Sequence, residues 1–248
     1  MKKLIVPVIL LALILSIQPW RHTMVATAEK TEQNLYLRAN DLSRKPEDPA
    51  YLSLYYRYRK MYFSIDHHPD HTVVFLGDSM TDEGNWSKLF PDSLVVNRGI
   101  GGDTTLGVLK RLDQIIALNP PQIFLMIGTN DLCFGRSISD IITNYRHILT
   151  RFQIALPNTT VYIESVLPFN DTMFPSRSLR TNSNIRQLNV QIRQLAQEYN
   201  YNYIDLSPAF TGSDNRLPAQ YTIDGLHLNE AGYLVWREQI KGLVTISQ

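Results

Sequence analysis

Short apolar runs alternate with amphipathic segments along most of the chain, and this alternation constrains the fold more than any other feature of the sequence. The runs are continuous and rich in Val, Ile and Tyr, as expected for strands buried on both faces of a parallel sheet. They lie at residues 72–76, 93–96, 122–127, 160–166 and 201–206. Strands that alternate with helices in this way predict an α/β fold, in which a parallel sheet carries helices on both faces.

The segments between these runs place apolar residues at helical spacing. The clearest predicted helix covers 138–152, where Ser137 and Asp140 have the pattern of an N-terminal capping box and Pro157 prevents continuation. A second helix is predicted over 185–199, and a third follows in the C-terminal segment. The periodicity therefore supports the alternation of strand and helix.

The N-terminus has the pattern of an export signal. Met-Lys-Lys is followed by the uncharged run 4–17, which is short for a membrane span of roughly 20 residues. Ala26-Thr27-Ala28 offers a cleavage site of small residues, so residues 1–28 are predicted to be a signal peptide or, if uncleaved, an N-terminal membrane anchor. We expect an exported protein, secreted or periplasmic, with membrane association through 4–17 as an open alternative.

Residues 29–71 do not follow the alternation of strand and helix. They are predicted to form a helical extension to a domain that covers 72–248. Pro46 and Pro49 divide the extension into two short helices, of which the second is rich in tyrosine. Tyrosine at helical spacing usually packs against a core, so a packing role is favoured over an apolar surface near the substrate.

Composition and missing motifs exclude several classes of function. The chain has 24 Lys plus Arg against 23 Asp plus Glu, so no basic surface for nucleic acid is indicated. The single cysteine, Cys133, excludes an internal disulfide and a thiolate zinc cluster. The glycine loop at 99–103 is not a dinucleotide fingerprint, because Thr104 stands where the third glycine belongs. No cofactor or metal is expected, and the histidine-rich run at 66–71 is interpreted as a solvated loop.

Residues suited to chemistry follow several of the predicted strands. Gly-Asp-Ser ends at Ser79 after the first strand, the glycine loop follows the second, and Asn130 follows the third. Asp224 and His227 lie beyond the last strand. Ligands of open parallel sheets bind outside the carboxyl ends of the strands, so these residues are expected to converge on one edge. Each residue alone has an ordinary explanation as a helix cap or turn, and only their combination indicates a site.

These residue types suit ester hydrolysis. A serine hydroxyl is a weak nucleophile until a base accepts its proton, and a histidine with an ordinary pKa of about 6.5 suits that role. Asp224 precedes His227 by three residues, which allows its carboxylate to hold the imidazole in a triad with Ser79. The N–H groups of Ser79 and Gly102 and the side-chain amide of Asn130 can donate to the negative charge that develops on the ester oxygen.

The motifs together resemble the SGNH, or GDSL-type, serine hydrolases. Ser79 in GDSM, Gly102 in GIGGDT, Asn130 in GTND and His227 in DGLH match the family's named residues in order, within residues 72–241. The resemblance implies a three-layer α/β/α sandwich with a flavodoxin-like, five-stranded parallel sheet. It also implies hydrolysis of a small-molecule ester through an acyl-serine, without a metal. The chain has no G-x-S-x-G elbow, so it does not resemble an α/β-hydrolase.

The sequence leaves the substrate open. A lipid acyl chain, a lysophospholipid and an O-acetyl group on a carbohydrate all fit, and a carbohydrate O-acetylesterase is one alternative. A non-catalytic binding protein on the same scaffold is another, although every residue needed for turnover is present. Phe134 and Phe169 are candidate walls of the acyl pocket, and ordinary packing of both is an equal alternative. Met80 replaces the leucine of the family signature, an apolar exchange, and the oligomeric state stays open.

Overall fold

A computed structural model describes residues 50–66, 68–69 and 71–245. The predicted signal peptide or anchor and the first helix expected in the extension lie outside these residues. The predicted domain boundaries therefore stay predictions.

The described residues form a parallel sheet of five strands in the order β2-β1-β3-β4-β5. This order confirms the predicted flavodoxin-like fold. All the predicted strands are present, with ends displaced by up to three residues. Strands β1 and β2 continue their pairing to Gly77 and Gly99, which carry no apolar side chain, and β3, β4 and β5 end one or two residues earlier than predicted. The strands are β1 (Val73–Gly77), β2 (Val95–Gly99), β3 (Gln122–Met126), β4 (Thr160–Glu164) and β5 (Asn202–Ile204).

Helices connect and flank the strands, and the three helices predicted from periodicity are confirmed. Short 3-10 helices lie at Ala50–Leu52, Ser207–Phe210 and Ala219–Tyr221. The α-helices are α1 (Leu54–Ile65), α2 (Ser79–Asp82), α3 (Trp86–Leu89), α4 (Thr105–Ile116), α5 (Thr129–Cys133), α6 (Ile138–Ala155), α7 (Asn182–Glu198) and α8 (Glu230–Ile240). No helix in the described ranges combines the length and the apolar character needed to cross a membrane.

Successive strand residues point into two hydrophobic cores on opposite faces of the sheet. Val74 and Leu125 pack in one core with apolar residues of α4, α6 and α7. Phe75 and Phe124 lie in the other, where Phe75 stacks on Trp86 with 3.9 Å between ring centroids and α8 closes the face. Apolar residues on both faces of the strands thus produce the predicted three-layer sandwich.

Helix α1 packs beside α4 at one end of the domain. Ser53 caps its N-terminus, and Tyr56 and Phe63 are its buried residues. The Tyr56 hydroxyl donates to the backbone oxygen of Gly107 at 2.6 Å, and the Arg98 guanidinium lies 4.6 Å from the centroid of the Phe63 ring. This hydrogen bond and this cation–π contact help to attach α1 to the α/β domain.

The strand order reverses at β1, which has β2 on one side and β3 on the other. Chains that leave the carboxyl ends of β1 and β3 diverge to opposite sides, and the gap between them is where ligands bind in this class of fold. The segments that start at Ser79 and Asn130 leave from these two strands.

Candidate active site

Ser79 is the first residue of α2, directly after β1. Asp78 caps this helix, and its Oδ1 accepts a hydrogen bond of 3.1 Å from the Met80 N–H. Burial raises the pKa of Asp78 to about 7, although the Met80 N–H acts in the opposite direction. The N-cap of this helix is therefore Asp78 and not Ser79, and the Ser79 hydroxyl lies within reach of a histidine.

His227 and Asp224 form one line of hydrogen bonds with Ser79. The distance from His227 Nε2 to Ser79 Oγ is 3.1 Å, and His227 Nδ1 lies 2.7 Å from Asp224 Oδ2. The other carboxylate oxygen of Asp224 accepts the N–H groups of Leu226 and His227, both at 2.8 Å. The tight turn thus fixes the carboxylate against the imidazole, and the predicted triad residues meet although Ser79 lies far from them in sequence.

The surroundings shift the pKa values of both groups. Burial raises the pKa of Asp224, but the hydrogen bond from His227, its positive charge and the two backbone N–H groups outweigh burial and bring the pKa to about 2. Burial lowers the pKa of His227, but the hydrogen bond to Asp224 and the charges of Glu83, Asp224 and Asp78 raise it above 6.5. The aspartate is therefore ionised at neutral pH, and the imidazole is a stronger base than an isolated histidine.

The predicted oxyanion donors lie on the loops after β1, β2 and β3. Asn130 is buried, and its Nδ2 donates to the backbone oxygen of Asp103 at 3.0 Å, which leaves its second N–H available. Gly102 has a φ of 77°, a backbone conformation that favours glycine. Within the described part of the chain, the N–H groups of Ser79 and Gly102 donate to no protein acceptor. All the predicted donors retain capacity for a ligand oxygen.

Buried carboxylates that the sequence did not single out hold these loops together. Asp103 pairs with Arg111 at 2.9 Å, and both side chains are fully buried. Arg111 also donates to the Gly77 backbone oxygen, so β1 and the glycine loop share one guanidinium. Asp131 accepts from both the N–H and the hydroxyl of Thr105 and so joins the loop after β3 to the start of α4.

Two further residues lie next to His227. Glu83 Oε1 is 3.9 Å from His227 Nε2, and the Phe174 ring stands perpendicular to the imidazole with 6.3 Å between centroids. Glu83 follows Ser79 by one helical turn, so a helix starting at Ser79 would have indicated it. Phe174 lies in the long loop after β4, and no spacing in the sequence points to it.

The structure places the two candidate pocket phenylalanines differently. Phe169 has no exposed surface and packs in the core with the α7 residues, so the prediction that it lines the acyl pocket is wrong. Asn182 donates to its backbone oxygen and accepts from its N–H, which holds the loop so that the ring points inward. Phe134 is partly exposed at the end of α5, and its place in the acyl pocket stays a prediction. Cys133 is buried.

Asp66 and His68 belong to the histidine-rich run and pair with each other at 2.7 Å. Arg98 also contacts Asp66, at 2.9 Å. Among the residues that the structure describes, no three His, Cys, Asp or Glu side chains are grouped so that they could hold a metal.

Ser79 begins a helix at the carboxyl edge of a parallel sheet with the strand order 2-1-3-4-5, and it is hydrogen-bonded in turn to His227 and Asp224. This arrangement defines a serine hydrolase of the SGNH class. Residues 75–235 match the GDSL-like lipase/acylhydrolase family, and the chain belongs to it. The protein is accordingly an enzyme that hydrolyses carboxylic ester bonds.

The chain is also similar to individual proteins and solved structures. Platelet-activating factor acetylhydrolase IB subunit alpha1 of Homo sapiens is 29% identical over 193 residues, which cover 75% of this chain and 79% of the relative. A GDSL-like lipase of Bacteroides thetaiotaomicron has 26% identity and a TM-score of 0.64, over 76% of this chain and 96% of its own. The acetyl xylan esterase AlAXEase shares the fold at 22% identity and a TM-score of 0.59, over 70% of this chain and 100% of its own.

Proposed function

We propose that the protein is an exported serine esterase that removes short acyl groups, acetyl above all, through an acyl intermediate on Ser79. The observation that carries the proposal is the line of hydrogen bonds from Ser79 Oγ to His227 Nε2 at 3.1 Å and from His227 Nδ1 to Asp224 at 2.7 Å. This geometry supports proton transfer from the serine as its oxygen attacks an ester carbonyl.

Acylation follows from this arrangement. His227 Nε2 accepts the Ser79 proton while Oγ bonds to the carbonyl carbon, and the carbonyl oxygen becomes negative. The N–H groups of Ser79 and Gly102 and the Asn130 amide donate to that oxygen. The ester C–O bond then breaks, and the imidazolium gives its proton to the departing alcohol. Asp224, with its low pKa, stabilises the imidazolium between these two transfers.

Deacylation uses the same groups in reverse. Water attacks the acyl-serine carbonyl while His227 accepts one of its protons, and the same donors hold the negative oxygen. The Ser79–acyl bond breaks as the imidazolium returns the proton to Oγ, which releases a carboxylic acid and restores the enzyme.

The space beside Ser79 supports a short acyl group. The neighbours of Ser79, Asp78 and Met80, line a cavity together with Leu167 and Leu226. The cavity has room for about one water. A long acyl chain would require these side chains to move. The human relative is named an acetylhydrolase, which is consistent with this proposal.

The export part of the proposal depends on the N-terminal sequence alone. The basic start, the apolar run 4–17 and the small residues at 26–28 support a signal peptide or an uncleaved anchor. Fractionation of cells that express the full chain, with N-terminal sequencing of the product, distinguishes cleavage from anchoring. A full-length product in the cytoplasm would contradict export.

The test of the catalytic proposal combines labelling with kinetics. Wild type should react with a fluorophosphonate at Ser79, and kcat/KM on nitrophenyl esters should fall steeply from acetyl to octanoyl. Ser79→Ala should lose labelling and all but about 10⁻³ of the activity, while Ser139→Ala, an exposed serine of α6, keeps both. Retained turnover in a folded Ser79→Ala variant would contradict the mechanism. A preference for octanoyl would contradict only the short acyl group.

A further inference from the structure

Asp82, the last residue of α2, connects the nucleophile's helix to the loop after β2. Its Oδ2 accepts the Gly101 N–H at 2.8 Å, one residue before the candidate donor Gly102. Residues 99–102 of the glycine loop after β2 are called the oxyanion loop below, because they include Gly102. At the start of this loop, a Cβ on Gly99 would lie 2.2 Å from the Asp82 nitrogen, so only glycine permits this approach. The Asp82 carboxylate is thus an anchor of the oxyanion loop.

Two residues of α1 hold this anchor from the opposite side. The Tyr55 hydroxyl donates to Asp82 Oδ2 at 2.5 Å, and Arg59 Nη2 lies 2.8 Å from Asp82 Oδ1. The same Arg59 nitrogen donates to the backbone oxygen of Gly99 at 3.1 Å. The α1 side chains therefore contact both the anchor and the oxyanion loop itself.

These contacts are buried, so the loss of one partner would leave a buried charge without compensation. The Asp82 side chain is 8% exposed and that of Arg59 is 13% exposed. Burial raises the pKa of Asp82, and the Arg59 charge and the hydrogen bonds from Tyr55 and Gly101 act against that rise. Without the guanidinium, a buried carboxylate has an uncompensated charge or takes up a proton, and in either case its bond to the Gly101 N–H changes.

We infer that α1 is part of the catalytic apparatus, with Tyr55 and Arg59 as positioning residues that hold the Gly102 N–H in place through Asp82. The inference rests on the proposed function, because Gly102 matters only if its N–H donates to the ester oxygen in the transition state. Helix α1, which lies in the predicted extension, would then support catalysis in addition to packing against the domain. An oxyanion donor acts by being fixed in place before charge develops, so its support affects kcat more than substrate binding.

The test replaces Arg59 and compares it with a neighbour on the same helix. Arg59→Met keeps most of the side-chain length and removes the charge and the donors, while Arg57→Met makes the same change at an exposed position. Arg59→Lys restores a charge beside Asp82. Each variant is assayed for kcat and KM on nitrophenyl acetate, for the rate of Ser79 labelling by a fluorophosphonate, and for its melting temperature.

Arg59→Met should lower kcat and the labelling rate by about tenfold, less than the 10²–10³ for removing a donor outright, with KM nearly unchanged. Arg57→Met should match wild type, and Arg59→Lys should recover most of the loss. If Arg59→Met does not fold, Tyr55→Phe, which removes one hydroxyl, should lower kcat in the same direction by a smaller factor.

A folded Arg59→Met enzyme, or Tyr55→Phe in its place, that labels and turns over like wild type would overturn the positioning role. A fall that appears in KM alone would overturn it as well. If wild type itself does not label at Ser79, the proposed function fails and this inference with it. Normal labelling in wild type and Arg59→Met alike removes only the inference.

Discussion

Asn130 distinguishes an oxyanion donor from a turn residue that happens to follow β3. As a donor, its amide acts mainly once the carbonyl oxygen is charged, so Asn130→Ala should lower kcat by roughly 10²–10³ with little change in KM. Asn130→Asp should be at least as damaging, because a carboxylate repels the developing charge. Steady-state kinetics with one short-chain ester test both variants.

A control is needed because Asn130 also donates to the Asp103 backbone oxygen. Asn144→Ala removes a comparable amide bond, to the Thr105 hydroxyl, without removing a candidate oxyanion donor. It should melt like the Asn130 variants and keep its kcat. A raised KM at constant kcat in Asn130→Ala would make Asn130 a ground-state contact.

Glu83 provides a test of His227 as the base that accepts the Ser79 proton. His227 must be neutral to accept the Ser79 proton, so kcat/KM should fall as pH drops through the pKa of the imidazole. The Glu83 carboxylate, 3.9 Å away, helps to raise that pKa. Glu83→Gln removes the charge, lowers the pKa of His227 and should move the acidic limb of the profile to lower pH. The measurement is kcat/KM for a neutral ester from about pH 5 to 8.

Glu230→Gln is the matched control for this profile. Glu230 is exposed and pairs with Lys88 at the protein surface, so its removal should leave the acidic limb in place. The prediction that Glu83 raises the pKa of His227 would be contradicted if the acidic limb of the pH profile stayed fixed in Glu83→Gln. It would also be contradicted if the limb moved equally in both variants.

At the scale of elements, α6 shows how local sequence sets a helix boundary. Ser137 Oγ accepts the Asp140 N–H at 3.1 Å, and the Asp140 carboxylate accepts the Ser137 N–H, which completes the predicted capping box. Ser137→Ala should lower the free energy of unfolding by about 1 kcal/mol and leave kcat/KM unchanged. Urea unfolding at neutral pH measures the loss.

Ser139→Ala serves as its partner, since Ser139 is exposed two residues further along the same helix. It should change the free energy of unfolding by much less. Helix propensity favours Ala over Ser within a helix, so equal losses in the two variants would contradict the assignment of the effect to the cap.

At the scale of the whole molecule, Glu164 links the sheet to α8 and makes stability depend on pH. The Trp236 indole donates to its carboxylate at 2.8 Å, but burial prevails and raises its pKa from 4.5 to about 8. From pH 4.5 to 8, the folded state therefore keeps a proton that the unfolded state has released, so this residue removes stability as pH rises. Glu164→Gln should melt higher than wild type near pH 8, and the difference should vanish near pH 5.

Glu198→Gln is the control, and it tests whether replacing any glutamate raises the melting temperature near pH 8. Glu198 is exposed and pairs with Arg146 on the surface, and that pairing lowers its pKa, so its loss should not raise the melting temperature at pH 8. A Glu164→Gln advantage that is equal at both pH values would contradict the buried proton.

The strand–helix order, the capping box of α6 and the candidate residues Ser79, Asn130, Asp224 and His227 follow from the sequence. Hydrophobic periodicity and capping are local properties, and parallel strands end at a common edge, so motifs that follow strands can be assigned to one site. The bond between Asp224 and His227 is predictable for the same reason, because a three-residue turn closes it.

Tertiary packing alone decided what surrounds those residues. Phe169 faces the core because Asn182, at the start of α7, fixes its backbone, and apolar composition does not distinguish a core ring from a pocket wall. Phe174 reaches His227, and Arg59 reaches Asp82, across long stretches of chain with no periodicity to connect them. The sequence by itself determined the strands, the capping box of α6 and the reactive groups, because each depends on neighbours along the chain. Only the tertiary structure decided which side chains hold those groups in place, because such contacts depend on packing between segments far apart in sequence.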